Sequence, residues 1–328
     1  MIVVTGAAGF IGSNLLAALE TKGAGDLVAC DVLGSDEKWR NIAKRELADI
    51  VAPPALLNFL SANRGAIETV FHLGAISATT ETDADLIVEQ NFRFSMRLWD
   101  WCAEARVPFI YASSAATYGD GTQGFDDDDR PDALARLRPL NAYGWSKHAF
   151  DRRVARLAAN GAARPPHWAG LKFFNVYGPN EYHKGGQRSV VPQILEQVSQ
   201  TGKARLFKSH HPDYEDGGQK RDFIWVGDCV DVMLWLAGQP KINGIFNCGT
   251  GTARTFLDLA SSVISEADHP SNIEFVPTPE NIRGKYQYFT EARMERLRAA
   301  GYAKPFTTLE EGIAHYMRNH LLTDDPYL

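Results

Sequence analysis

Cysteine is scarce in this sequence, with four in 328 residues. Cys30, Cys102, Cys229 and Cys248 lie far apart and form no C-x-x-C pair, which excludes a disulfide framework and a thiolate zinc site and leaves reduced, packed thiols. Clusters of Lys and Arg are also missing, and the formal net charge is −6. A nucleic-acid surface needs such clusters, so no nucleic-acid partner is expected. No apolar run reaches the ~20 residues of a membrane span, and MIVVTGAAG holds no basic leader before a long apolar stretch. The expectation is a soluble, cytoplasmic protein without a membrane partner. Internal repeats and low-complexity tracts are absent.

What is present is ordinary globular material, 45% hydrophobic and 23% charged. The length suits one large α/β domain with a smaller companion. IVVT (2–5), DLVACD (26–31), ETVFHLGA (68–75), VPFIYASS (107–114) and GLKFFNVYG (170–178) read as buried strands. SNLLAALETKG and NFRFSMRLWDWCAEA between them carry helical spacing. Strand alternating with helix predicts a doubly wound parallel Rossmann sheet, covered on both faces. After about Tyr177, Pro and Gly become frequent, FIWVGD (223–228) reads as a return to the sheet, and FNCGTGTARTFLDLA as leaving it again. The expected division is a dinucleotide-binding domain of residues 1–173, 225–251 and 287–310, interleaved with a substrate domain of 174–224, 252–286 and 311–328. The acidic run Asp126 to Asp129 reads as a solvated loop, and the adjacent His210 and His211 as solvated too, so no metal is expected.

Gly6, Gly9 and Gly12 stand between the first strand and its helix as G-x-x-G-x-x-G. The backbone there must turn tightly and let a pyrophosphate approach the free N–H groups of a helix N-terminus. Asp31, ending the second strand, falls where a dinucleotide fold places its ribose acceptor. By itself it favours NAD. Lys38 could instead meet a 2′-phosphate, or be an exposed loop cation; the residues leave both open.

Tyr143 and Lys147 form Y-x-x-x-K, one helical turn apart on one face. A neighbouring ammonium favours the phenolate and brings a tyrosine toward use as a base. Ser114, in YASSAATYG at a strand end, could bind the substrate oxygen beside it.

TGAAGFIG, YASSAATYG, Y-x-x-x-K and RDFIWVGD together resemble the extended short-chain dehydrogenases/reductases that act on nucleotide sugars, over almost the whole chain. More narrowly, SATTETD (77–83), NVYGPNEYHKG, KRDF, IRGKYQYFT (282–290) and LRAAGYAKPF (297–306) are similar to the ADP-L-glycero-D-manno-heptose 6-epimerase family. The resemblance implies NADP, with NAD as the alternative, a homo-oligomer with a pentamer among its forms, and an ADP-heptose substrate for the lipopolysaccharide inner core. It implies cofactor contacts at Phe10, Ile11, Asp31, Lys38, Leu73, Gly74, Ala75, Ser77, Asn91, Lys147 and Val176. Substrate contacts are implied at Ser114, Asn175, Gly186, Gln193, Phe207, Arg221 and Tyr286. Lys172 departs from the arginine that related enzymes often carry before NVYG, Pro53 replaces a lysine, and KSHHPDYEDGGQ (208–219) is longer than the family pattern.

Tyr143 and Lys184 match the family's proton-transfer pair. On the residues alone, Lys184 in NVYGPNEYHKGG reads more simply as a cation neutralising substrate phosphate. The implied chemistry gives it more to do. A carbon bearing only an alcohol is epimerised by losing hydride to a nicotinamide and regaining it on the other face. An exocyclic carbon can turn about one bond, which moves its oxygen away from the first base and calls for a second proton donor. The alternatives are a UDP- or dTDP-sugar 4-epimerase or 4,6-dehydratase, and a non-catalytic dinucleotide sensor. Ala115 and Ala116 lack the acidic pair expected of a dehydratase, and intact Ser114, Tyr143 and Lys147 argue against a sensor.

Overall fold

The computed structural model describes every residue except 268, 269, 271 and 284–286. The apolar runs form strands β1 (Ile2–Thr5), β2 (Leu27–Cys30), β3 (Asp49–Val51), β4 (Thr69–His72), β5 (Phe109–Ser114) and β6 (Trp168–Phe173). With β11 (Gly244–Cys248) they make a seven-stranded parallel sheet in the order β11-β6-β5-β4-β1-β2-β3. Helices cover both faces: α1 (Phe10–Thr21), α2 (Leu56–Ala62), α3 (Phe94–Ala105), α4 (Ala142–Ala159) and, later in the chain, α6 (Val226–Ala237). This is the expected doubly wound α/β architecture. Because strand order reverses between β1 and β4, a crevice opens at their carboxyl ends, where ligands of such sheets bind.

A second, smaller core lies outside that sheet. Helix α5 (Val190–Thr201) buries Val191, Ile194 and Val198 on one stripe, against Leu259 and Val263 of α7 (Phe256–Glu266). Ile313 and Tyr316 of α8 (Leu309–Tyr316) complete it. Each such side chain contributes roughly 1.5–3 kcal/mol through burial. Three two-stranded sheets frame this region: β7 (Asn175–Tyr177) with β10 (Phe223–Trp225), β9 (Lys220–Arg221) with β12 (Arg254–Thr255), and β8 (Lys203–Phe207) with β13 (Asn272–Val276).

The structure corrects three of the expectations. GLKFFNVYG is two strands, because Phe174 N–H is the last to bond the main sheet, at Cys248 O, and Asn175 N–H turns to Asp222 O. FIWVGD does not return to the main sheet; it pairs with β7, and the returning strand is β11, which contains FNC. Third, the acidic run is not a freely solvated loop. Asp129 Oδ2 accepts from Ile245 N–H at 3.1 Å and Asp127 Oδ2 from Asn247 N–H at 2.8 Å, so alternate carboxylates cap the outward donors of edge strand β11. Arg296 adds a 2.7 Å ion pair to Asp129.

Burial pushes the Asp127 carboxyl up to about 6, against the Asn247 N–H and the Arg296 charge. Since the folded value lies above the unfolded 3.8, this group's contribution is complete below pH 4 and is lost as pH rises through 6, by at most about 3 kcal/mol. Asp127→Asn, which keeps an acceptor for Asn247, is therefore expected to gain stability relative to the parent between pH 4 and 7. Thermal melts across that range check it; a constant difference would refute it.

Candidate active site

The cradle is closed by sterics. Gly6 has φ +66°, and a Cβ there would lie 2.6 Å from Gly74 N; one on Gly12 would lie 2.1 Å from Gly6 O. Backbones this close leave room for a diphosphate and none for a side chain. Helix α1 begins at Gly9 with no side-chain cap and no acid in its first turn, so its N–H groups are open to an anion. Asp31 accepts from Ala8 N–H at 2.8 Å and Val32 N–H at 2.7 Å, which fixes its carboxylate at the lip of the cradle. Lys38 reaches the same carboxylate at 2.6 Å and Val32 O at 2.9 Å. Lys38 is thus held against the Asp31 carboxylate rather than projecting freely into solvent. These residues fit a nicotinamide dinucleotide.

The far wall is held by hydrogen bonds that spacing does not reveal. A π-helical stretch, Val88–Arg93, precedes α3 and brings Asn91 inward. Its amide accepts from Ile76 N–H at 2.8 Å and donates to Ile76 O at 2.9 Å, which grips the segment of Leu73, Gly74, Ala75 and Ser77. It also donates to Ser146 Oγ at 3.0 Å, which donates to Tyr143 O at 2.7 Å. Buried His72 bridges Thr5 Oγ1 at 2.7 Å and Ser95 Oγ at 2.8 Å. Ser95 donates to Asn91 O, so His72 donates through Nε2 and accepts at Nδ1. Burial first, then the Lys147 charge, pushes its pKa down to about 3, and it stays neutral.

Ser114, Tyr143 and Lys147 come together between the end of β5 and the first turns of α4. Asn141 caps that helix by accepting from Gly144 N–H at 2.8 Å. Burial raises the Tyr143 pKa, and a hydrogen bond from Ser114 opposes it. The expectation that Lys147 would acidify Tyr143 is thus not the dominant effect in this state. Lys147 is itself buried, donates to Ala112 O at 2.8 Å, and has its pKa pushed down to about 8 by desolvation, with Asp151 opposing.

Lys184 lies in a 3-10 turn, Tyr182–Gln187, with its ammonium 5.4 Å from the Phe10 ring centroid at the start of α1. Burial lowers its pKa and Glu181 opposes the fall. Glu181 is buried and anchors the turn by accepting from Ser189 and, at 3.3 Å, from Tyr316 OH. Phe10 links Lys184 to the cradle.

Val176, a cofactor candidate, is half-buried on β7; of the substrate-side candidates, Asn175 on the same strand is exposed, Gly186 is open, and Phe207 ends β8 half-buried. Gln193 Nε2 is committed to Arg188 O at 2.8 Å. Arg221 is buried, bonds Lys220 O at 2.9 Å and Gln287 O, and lies over Phe256. Tyr286 lies outside the described residues. Among the described residues, no three His, Cys, Asp or Glu are placed to hold a metal, and no helix is long and apolar enough to cross a membrane.

Comparison with known proteins identifies the family and the fold. The model of the NAD dependent epimerase/dehydratase family matches residues 2–249. The chain is 49% identical, over 100% of both sequences, to an ADP-L-glycero-D-manno-heptose-6-epimerase of Nitratidesulfovibrio vulgaris. It is 45% identical, again over 100% of both, to an enzyme of that name from Fusobacterium nucleatum. In fold it resembles the crystal structure of Helicobacter pylori ADP-L-glycero-D-manno-heptose-6-epimerase, with TM-score 0.80 and 24% identity over 97% of this chain and 95% of that one. With a glycine cradle that has no room for a side chain, relatives 45–49% identical over the full length and a family match over residues 2–249, the chain belongs to the NAD dependent epimerase/dehydratase family.

Proposed function

We propose that the chain inverts C6 of ADP-D-glycero-D-manno-heptose to give the L-glycero epimer, through a 6-keto intermediate. The full-length relatives carry the name of that activity, which supports the reading; lipopolysaccharide inner-core synthesis is the use that the family resemblance implies for the product. Lys184 is the observation that favours C6 over the alternative, a 4-epimerase or 4,6-dehydratase of a UDP- or dTDP-sugar. A second desolvated ammonium against the cradle suits an exocyclic centre that turns its oxygen away from Tyr143. When bound, a nicotinamide dinucleotide supplies the acceptance and return of hydride.

The chain supplies the rest. Ser114 holds the substrate oxygen beside Tyr143, which takes the hydroxyl proton of one epimer as the C–H bond breaks. Lys147 anchors the tyrosine's helix to β5 through Ala112 O. After rotation about C5–C6, Lys184 delivers a proton to the ketone oxygen at its new position, and proton exchange with solvent then returns Tyr143 and Lys184 to their starting states; the reverse direction exchanges the two roles. Asn175, Gly186, Gln193, Phe207, Arg221 and Tyr286 belong to the sugar-nucleotide side. The interleaved two-domain division, a homo-oligomer and a cytoplasmic location are part of the same proposal.

The deciding experiment incubates pure protein with ADP-heptose and with UDP- and dTDP-hexoses and follows C6 and C4 configuration by NMR. Inversion of ADP-heptose at C6 is expected; turnover of a UDP-hexose at C4 with none at C6 would overturn the proposal.

For the cofactor, we infer NADP. Asp31 alone would repel a 2′-phosphate, and Lys38, 2.6 Å from it, supplies the compensating charge. Lys38→Ala is expected to weaken NADP by about 10- to 100-fold, the worth of a charge-assisted contact, and NAD much less. Fluorescence titration with both dinucleotides checks it; equal losses would remove the 2′-phosphate role.

A further inference from the structure

Four residues beyond Lys147 on α4, Asp151 meets Lys172 of β6 with Nζ 2.7 Å from Oδ2, and both side chains are at 0% exposure. Asp151 also accepts from Ser113 Oγ at 2.7 Å and from Tyr111 OH at 3.0 Å, both on β5. Ser113 and Lys172 are cross-strand partners, so one carboxylate gathers donors from two adjacent strands. On its other side Lys172 donates to Thr117 Oγ1 at 2.6 Å, and Thr117 donates to the main-chain oxygen of Ser114 at 2.8 Å. The ammonium also lies 5.0 Å from the Tyr118 ring centroid.

Stability is a poor reason for such a pair. Removing both ions from water costs several kcal/mol each, and apolar residues of equal volume often serve as well. Its place explains it better. One end reaches the backbone of Ser114 through a single hydroxyl, and the other sits on the helix that carries Tyr143 and Lys147.

We propose that Asp151 and Lys172 are positioning residues for the proton-transfer set: the buried pair locks the end of β5 to α4 and keeps the net charge behind Ser114, Tyr143 and Lys147 at zero. The inference rests on the acid–base roles proposed for those three residues. Asp151 acts on both titrating neighbours, raising the Tyr143 pKa and opposing the fall at Lys147. Facing this site are also neutral His72 on β4, Tyr111 and Ser114 on β5, Tyr118 in the turn after it, and His148 on α4, whose pKa burial and Lys172 push down to about 4; farther out, Asp129 acts on Tyr111, Asp126 and Asp127 on Tyr118, and Arg138 and Arg152 on His148. Lys172 is the cation placed to cancel Asp151.

The test is the pH dependence of kcat/KM for ADP-heptose in cofactor-loaded protein. Lys172→Met leaves Asp151 unbalanced and should move the acid limb to higher pH, on the order of one pH unit. Asp151→Asn leaves Lys172 unbalanced and should move it lower by a similar amount. The double variant should return the limb near its starting place, and Lys172→Arg should retain it. Thr117→Val leaves both charges in position and covers the case of a variant that fails to fold: kcat should fall with the limb unmoved. Displacement in the same direction for both charge variants, unmoved limbs, or an unchanged kcat in Thr117→Val would overturn the inference. If Tyr143→Phe also kept its activity, the acid–base roles would fail instead.

Discussion

Tyr143→Phe is expected to reduce epimerisation of ADP-heptose by about 10²–10⁴-fold, the usual worth of one positioned acid–base group. The phenol is half-buried, hydrogen-bonded with Ser114, and attached to a helix that three separate bonds fix: the Asn141 cap, Ser146 to Tyr143 O, and Lys147 to Ala112 O. Phenylalanine keeps the ring and its packing and removes only the hydroxyl that exchanges the proton and bonds Ser114. Cofactor affinity should stay near that of the parent, because the cradle of Gly6 and Gly12 and the Asp31 edge are untouched. The loss belongs in kcat, with KM little changed, since the hydroxyl acts mainly in the transition state. Steady-state kinetics at several pH values read both. A loss confined to KM would make Tyr143 a binding group.

Lys184→Met should cost as much, for a different reason. The turn that carries Lys184 is anchored by buried Glu181 rather than by the lysine itself, so the fold should survive. Methionine preserves most of the stem against Phe10 and deletes the donor. Desolvation already lowers the Lys184 pKa, which makes proton exchange with a ketone oxygen easier than for a surface lysine. A cycle with two proton-transfer positions stops when either is lost, so turnover should fall about 10²–10⁴-fold while sugar-nucleotide affinity by calorimetry stays within a few-fold. If KM rises and kcat holds, Lys184 is an anchor for phosphate or hydroxyl, and Tyr143 serves both faces.

The parts of this site that sequence made legible are those in which neighbouring residues carry the physics. Gly6, Gly9 and Gly12 are readable because a local turn and a helix start exclude side chains; Tyr143 and Lys147 because one helical turn brings them to one face. The buried strands were clear because a sheet covered on both sides needs continuous apolar runs. What stayed hidden depends on partners far along the chain. Nothing near His72 shows that it spans Thr5 and Ser95, and nothing near Asn91 shows that it grips Ile76. Nothing in the sequence marks Asp151, and Lys172 reads there only as a departure from pattern; the fold brings the two together behind β5. The acidic run was misread because carboxylates in a loop are usually solvated, whereas here an unpaired strand edge needed acceptors. Lys184 needed the family resemblance, since a lysine after a strand has no local mark of catalysis.

The central claim is that Tyr143 and Lys184 exchange protons on opposite faces of one exocyclic carbon. Its most direct test supplies the 6-keto ADP-sugar to Tyr143→Phe and Lys184→Met proteins loaded with reduced cofactor and measures the C6 configuration of the product by NMR. Each variant is expected to give mainly one epimer, and the two are expected to prefer opposite ones. The same epimer from both, or an equal mixture from either, would contradict it.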